Sequence, residues 1–301
     1  MASSIFGARG PSTNRVYQHQ WAVYFQWCKS RGISSSNTTV NNVYLALRLL
    51  RYQKKFSVST IKCYRSMLAS VLRHKGLDLS HDLDIKDVIH SFEIEVPREH
   101  NPALSWNFDV VLKFLSSPAY EPLESISLLK LTKKTLFLVA LALAKRVSEL
   151  QALSCNIGFS SDGVHLSSLP HFRAKNDSRC NSLPRFFAIR NLTDLVGPEE
   201  EACLCPVRAL KVYLTRTRVV VGGAHSNLFS SPRDPKRALS KNGISFFLSS
   251  LIEGAHTSLD DSHFSLIKVK AHQVRAVATS FHFVKNLSLD SVMLAAQWRG
   301  T

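Results

Sequence analysis

The stretch TLFLVALALAKRVSELQALS, Thr135–Ser154, decides how the rest of the chain is read. Its first half, Thr135–Ala144, is the most apolar run in the sequence. It is shorter than the ~18 residues a membrane span needs. It is flanked by Lys133, Lys134, Lys145 and Arg146, so it reads as a buried helix of a soluble protein. The helical pattern continues beyond it and predicts a helix over about 125–153. Arg146 then follows directly on the apolar run, and Glu149 lies three residues later on the same helical face. A guanidinium at the lip of a core helix is costly unless something pairs it. An internal pair with Glu149 is the plain reading.

Further along, KVKAHQVRAVATS (Lys268–Ser280) sets His272 and Arg275 three apart in a second helical pattern. A basic chain holds several such pairs by chance, and this one gains meaning beside Arg146. Two arginines that can each fork a phosphate, with a histidine, suit stabilisation of a pentacoordinate phosphorane without a metal. Arginine does this better than lysine because its planar fork matches two phosphate oxygens. The sequence has no carboxylate cluster of the kind two-metal nucleases use. It also lacks a phosphate-binding P-loop, a G-x-G-x-x-G fingerprint, an H-E-x-x-H pair and a G-x-S-x-G elbow.

Bulk composition points the same way. Among 301 residues, 38 Lys/Arg face 22 Asp/Glu, giving a formal net charge of +16 and a pI of ≈ 9.8. Residues 1–103 carry +7 and the remainder +9, so the excess is spread along the chain. That balance favours a polyanionic partner, above all double-stranded DNA. The six cysteines show neither C-x-x-C nor zinc spacing and read as reduced thiols. No cofactor or metal is expected. MASSIFGARGPSTNR has no apolar core for a secretory signal, and no membrane association is expected.

Periodicity predicts a helical first domain over 12–95. Its first helix, 14–31, sets Val16, Trp21, Tyr24, Phe25 and Cys28 toward the core. The second carries Val43, Leu47 and Leu50. The third, VSTIKCYRSMLASVL, buries Ile61, Tyr64, Leu68, Val71 and Leu72, is capped by Ser59 or Thr60, and keeps Lys62, Arg65 and Arg73 off the apolar stripe. A short fourth helix covers Leu83–Phe92. EIEVPREHNPALSW, with two prolines and four charged residues, reads as a linker over 96–104. The second domain, 105–301, opens with helices at about 106–117 and 125–153. Two or three short strands follow around Pro170 and Asn176, then helices from Pro206, from about Leu239, over Ile267–Asn286 and over Ser288–Trp298. The expected fold is mainly α with a small β-sheet.

The ordered motifs KRVSELQAL, LCPVRAL and AHQVRAVATS resemble those of tyrosine recombinases, the phage-integrase class, and are most similar to recombinases of DIRS-type retrotransposons. The resemblance implies a helical core-binding domain followed by a mixed α/β catalytic domain. It implies that Arg146 and Arg275 hold the non-bridging oxygens of a scissile DNA phosphate and that His272 bonds the same phosphate and assists proton movement. Glu149 would orient Arg146 or His272. Lys175, in HFRAKNDS, would be the hairpin lysine that protonates the leaving oxygen, and Trp298 would pack against or hydrogen-bond the phosphate region. Thr60, Lys62 and Arg65 are the candidate DNA contacts of the first domain.

The family's nucleophile is a tyrosine beyond the Trp298 position. All seven tyrosines precede the His-x-x-Arg box, Tyr213 among them as an expected core residue. The sequence therefore reads as a phosphate-activating site without its nucleophile. Either the recombinase is cut short, or it is a recombinase-derived DNA-binding or regulatory protein in which that loss is the working state. Assembly as a homo-oligomer on DNA, weakened by a missing C-terminal segment, and a nuclear location follow from the same resemblance.

Overall fold

The computed structural model describes residues 10–35, 37–95, 106–170, 172–174, 185–192, 202–258 and 269–284. The chain divides into two compact units, Met1–Asn101 and Pro102–Thr301. The expected linker, 96–104, lies outside the described residues.

Among the described residues, the first unit has four α-helices: α1 (Pro11–Ser30), α2 (Val40–Tyr52), α3 (Val58–Leu72) and α4 (Leu83–Ile94). Each starts where the chemistry of a helix N-terminus permits it. Pro11 opens α1, and the side chains of Thr39, Ser57 and Asp82 accept backbone N–H bonds at the starts of α2, α3 and α4. The cap of α3 is thus Ser57, not Ser59 or Thr60. Ser57 has the extended backbone a cap requires, and its Oγ accepts from the Thr60 N–H at 3.3 Å. The third helix packs against the other three, and Ile61, Met67, Leu68 and Leu72 are fully buried at the centre.

The buried face of α1 also differs from the expected one. Tyr17, Gln20, Tyr24 and Cys28 are buried, whereas Val16 and Phe25 are about half exposed. At ~100° per residue, Val16 and Phe25 each sit roughly a quarter-turn from the line through Tyr17, Tyr24 and Cys28. The Tyr24 hydroxyl pairs with Thr38 Oγ1 at 2.6 Å, which lets a tyrosine occupy this core.

The second unit is mainly α with a three-stranded antiparallel sheet. Among the described residues its helices are α5 (Phe108–Ser116), α6 (Leu128–Leu143), α7 (Val147–Gln151), α8 (Pro206–Val221), α9 (Lys241–Ser258) and α10 (His272–Val284). Its strands are β1 (Gly158–Phe159), β2 (Gly163–Ser167) and β3 (Phe186–Arg190), in the order β1-β2-β3. The pair β2–β3 coincides with two of the expected strands. The two-residue β1 was not legible in the pattern. Pairing runs from Gly163 opposite Arg190 to Ser167 opposite Phe186. Gly163, at φ 153°, is required there, because a Cβ would lie 2.0 Å from the Ile189 carbonyl oxygen.

Helix α6 is the axis of this unit. It is buried nearly all round, from Leu131 to Leu143, and packs against α8, α9, α10 and β3. The expected single helix over 125–153 is in fact two. Ala144 adopts the left-handed conformation (φ 51°) and ends α6, and Lys145 and Arg146 run as a link into the short α7. Nothing in the local sequence favours that break, since Ala, Lys and Arg are all good helix formers. Its partners come from elsewhere in the fold and are described below.

One charge of α6 is also wholly buried. Lys134 Nζ donates to Glu121 Oε1 (2.6 Å) and to the Leu115 carbonyl (2.7 Å), while Arg208 of α8 donates to both Glu121 oxygens at 3.0 and 2.9 Å. Burial alone raises the Glu121 pKa, but its bonds from Arg208 and Lys134 outweigh that and hold it below the usual carboxylate value. A depressed carboxyl pKa contributes stability above its unfolded value, and that stability is lost as pH falls through the folded value. Replacing Glu121 with Ala strands the buried Lys134 ammonium and is expected to cost roughly 3 kcal/mol. In urea denaturation the E121A midpoint should fall sharply at neutral pH, and the gap from the parent chain should narrow as pH drops below 4. An unchanged midpoint at neutral pH would show that the triad contributes nothing.

Candidate functional site

The break after α6 and the start of α10 form the walls of one cleft of about 350 Å³. Lys145, Arg146, His272 and Arg275 line it, backed by apolar side chains that include Leu150, Leu248 and Val274. The sequence reading brought Arg146, His272 and Arg275 together, and the fold does place these three on one cleft.

The geometry of Arg146 differs from the expected mid-helix position. It is the N-cap of α7, with extended backbone (φ −71°, ψ 154°). Glu149, at the third position of that helix, reaches back so that its Oε2 accepts the Arg146 N–H at 2.8 Å. The same oxygen lies 3.9 Å from Arg146 Nη1, within ion-pair reach but too far for a hydrogen bond. Glu149 is only 4% exposed, so a carboxylate is committed to the backbone of the arginine more than to its guanidinium. Arg146 Nη1 is buried and has no hydrogen-bond partner among the described residues.

Arg275 comes from α10, one turn beyond His272. Val274, Val277 and Ala278 bury the helix face beside it. Its Nε donates to the Ala144 carbonyl at 2.9 Å, so this arginine holds the left-handed residue that breaks α6. Burial, then the neighbouring Arg146, lowers the Arg275 pKa, and Glu149 partly offsets this. His272 is the first residue of α10 and stands exposed at the rim.

Lys145 is the residue the sequence reading missed as a site residue. It is 6% exposed, and its Nζ lies 4.7 Å from the ring centre of Phe187 on β3. Burial pushes its pKa down to about 8, Glu149 opposes that shift, and Arg185, Arg275 and Arg146 add to it. The available signal was its place between an apolar helix and a phosphate-type arginine. Around the Lys145 ammonium, Glu149 attracts while Arg185, Arg275 and Arg146 repel. Positive charge gathered in a partly buried cleft is stabilised when an anion joins it. A tetrahedral monoanion with several acceptor oxygens matches the two guanidinium groups. No group of three His, Cys, Asp or Glu side chains that could hold a metal ion occurs among the described residues.

Lys175, in the connection between β2 and β3, and Trp298 lie outside the described residues. In the first unit, Thr60 is engaged with the Ser57 cap, Lys62 pairs with Glu93, and Arg65 donates to the Ser80 carbonyl at 3.0 Å. None of these three belongs to the cleft. Tyr213 is fully buried, and its hydroxyl accepts the Ser230 N–H, so it is a core residue.

No protein-family model matches the sequence, and no curated protein is significantly similar to it. Solved structures do share its fold. A XerH site-specific recombinase bound to difH substrate, in a pre-cleavage complex, matches at a TM-score of 0.58 with 16% identity, over 97% of this chain and 73% of that one. A lambda integrase tetramer bound to a Holliday junction matches at 0.55 with 15% identity, over 100% and 73%. The Tn1549 transposon integrase in complex with transposon right-end DNA matches at 0.54 with 12% identity, over 99% and 92%. The small antiparallel sheet among helices is that of the integrase catalytic domain.

Glu149→Ala should remove the α7 cap and leave the Arg146 backbone N–H without its acceptor. The expected cost is about 1–2 kcal/mol by chemical denaturation. Glu149→Gln retains an acceptor and should recover most of that loss. Equal stabilities for E149A and the parent chain would show that the back-reaching carboxylate does not organise the break.

Proposed function

We propose that this chain binds double-stranded DNA and seats one backbone phosphate between Arg146 and Arg275, as a tyrosine-recombinase-like protein of DNA recombination or integration. The observation that carries this reading is the convergence of the two arginines on one cleft, where Arg146 Nη1 is buried without a hydrogen-bond partner among the described residues. The fold shared with DNA-bound recombinases and the net charge of +16 support it. In this reading each guanidinium bonds a non-bridging oxygen, His272 bonds the same phosphate from the rim, and Glu149 positions Arg146 through its backbone. Lys175 and Trp298 complete the site as the leaving-oxygen acid and a packing donor, by resemblance to the family motifs. The motif order also supports a DIRS-type element and nuclear DNA as its setting, with assembly of copies on DNA.

Strand transfer needs a hydroxyl nucleophile as well. No tyrosine lines the cleft among the described residues, and Tyr120 and Tyr213 of the second unit are core residues. This observation favours a second reading, in which the chain works as a recombinase-derived binding or regulatory protein that grips DNA without cutting it.

Duplex affinity should fall steeply with salt, because each neutralised phosphate releases counterions. Arg275→Ala should weaken binding roughly tenfold or more at fixed salt and reduce the log–log salt slope by about one. Affinity indifferent to salt, or R275A binding identical to that of the parent chain, would refute the proposed phosphate seat.

A further inference from the structure

We propose that Lys145 is a further substrate-contacting residue of this cleft, whose ammonium brings an exchangeable proton to the bound phosphate. The proposal rests on the phosphate-binding reading above and adds to it a residue to which that reading gives no role. Lys145 and Arg146 are consecutive in the extended link between α6 and α7, yet both line the same cleft as Arg275 and His272. The Phe187 ring lies under the Lys145 ammonium and is one wall of its site. The surrounding groups explain why a lysine here differs from a third arginine. Glu149 approaches from α7, Arg146 from the same link, Arg185 and Phe187 from the β3 strand and the residue before it, and Arg275 and His272 from α10. A guanidinium stays protonated across the working pH range, whereas a lysine ammonium can release its proton.

The consequence is a proton linked to binding. In the free cleft, burial and the neighbouring arginines hold the Lys145 pKa near 8, so the amine loses its proton above that value. A phosphate oxygen beside it stabilises the ammonium and raises its pKa. At pH 7 the lysine is protonated in both states and binding takes up nothing. Above about 8, binding must draw one proton from solvent, so affinity should fall by up to about tenfold per pH unit.

The test uses the full chain and a fluorescein-labelled mixed-sequence duplex at constant ionic strength, with affinity measured from about pH 7 to pH 9.5. The parent chain should weaken as pH rises through 8. Lys145→Arg should bind with little pH dependence in that window. Lys145→Met, of similar length, should bind severalfold more weakly at pH 7 and show the same flat profile. Calorimetry in two buffers of different ionisation enthalpy should record proton uptake at pH 9 for the parent chain and none for K145R. Circular dichroism on both variants confirms that they are folded. A K145R profile that keeps the parent's pH dependence, or K145M affinity equal to the parent's at pH 7, would overturn the assignment. If in that case binding remains sensitive to salt and to Arg275→Ala, the phosphate seat stands and only the Lys145 role falls. Binding insensitive to both would overturn the seat itself, and the Lys145 role with it.

Discussion

The hydrogen bond from Arg275 Nε to the Ala144 carbonyl ties the two halves of the cleft together. Ala144 is in the left-handed conformation, a geometry that costs a non-glycine residue about 1–2 kcal/mol. The cost is offset by what the break organises. On the upstream side, the Ala144 N–H still closes α6 by bonding the Ala140 carbonyl at 3.0 Å. On the downstream side, Glu149 caps α7 through the Arg146 N–H. Between these two fixed ends the chain can only present Lys145 and Arg146 sideways, toward α10. Without the turn, the two side chains would point in directions set by a continuous helix, and the cleft would not form.

The rest of the second unit supports that turn. Helix α6 is buried nearly all round, and its position is fixed by apolar packing on α8, α9, α10 and β3, together with the Lys134–Glu121–Arg208 triad. A rigid base of this kind lets two guanidinium groups be held close before any anion arrives. Electrostatic stabilisation is strongest when the charges need not reorganise on binding. The depressed Arg275 and Lys145 pKa values reflect that arrangement: burial and mutual repulsion act in the free state, and the proposed phosphate would relieve them.

Much of this was legible in the sequence, and the exceptions share a cause. The four helices of the first unit follow from apolar spacing, because α2 and α3 bury residues such as Val43, Leu47, Ile61 and Leu68 that periodicity marks unambiguously. Val16 and Phe25 were misplaced because α1 buries the polar-capable Tyr17, Gln20 and Tyr24 in preference to them. The break at Ala144 left no local trace, since it depends on Arg275, which lies 131 residues away. For the same reason Arg146 and Glu149 meet across a helix N-terminus, chiefly through the Arg146 backbone N–H, and not along one continuous helix. Lys145 looked like a flanking charge for as long as the helix was thought to run through it. In the first unit, the sequence could not reveal that Lys62 is engaged by Glu93 and Arg65 by backbone carbonyls.

The proposed phosphate seat is built from a helix break, a back-reaching carboxylate and two arginines brought together from distant parts of the chain. The most direct test is a crystal structure of the full chain with a DNA duplex. The account predicts a backbone phosphate in the cleft, with its non-bridging oxygens about 3 Å from guanidinium nitrogens of both Arg146 and Arg275. A complex in which the duplex binds elsewhere and no phosphate lies between those two side chains would contradict it.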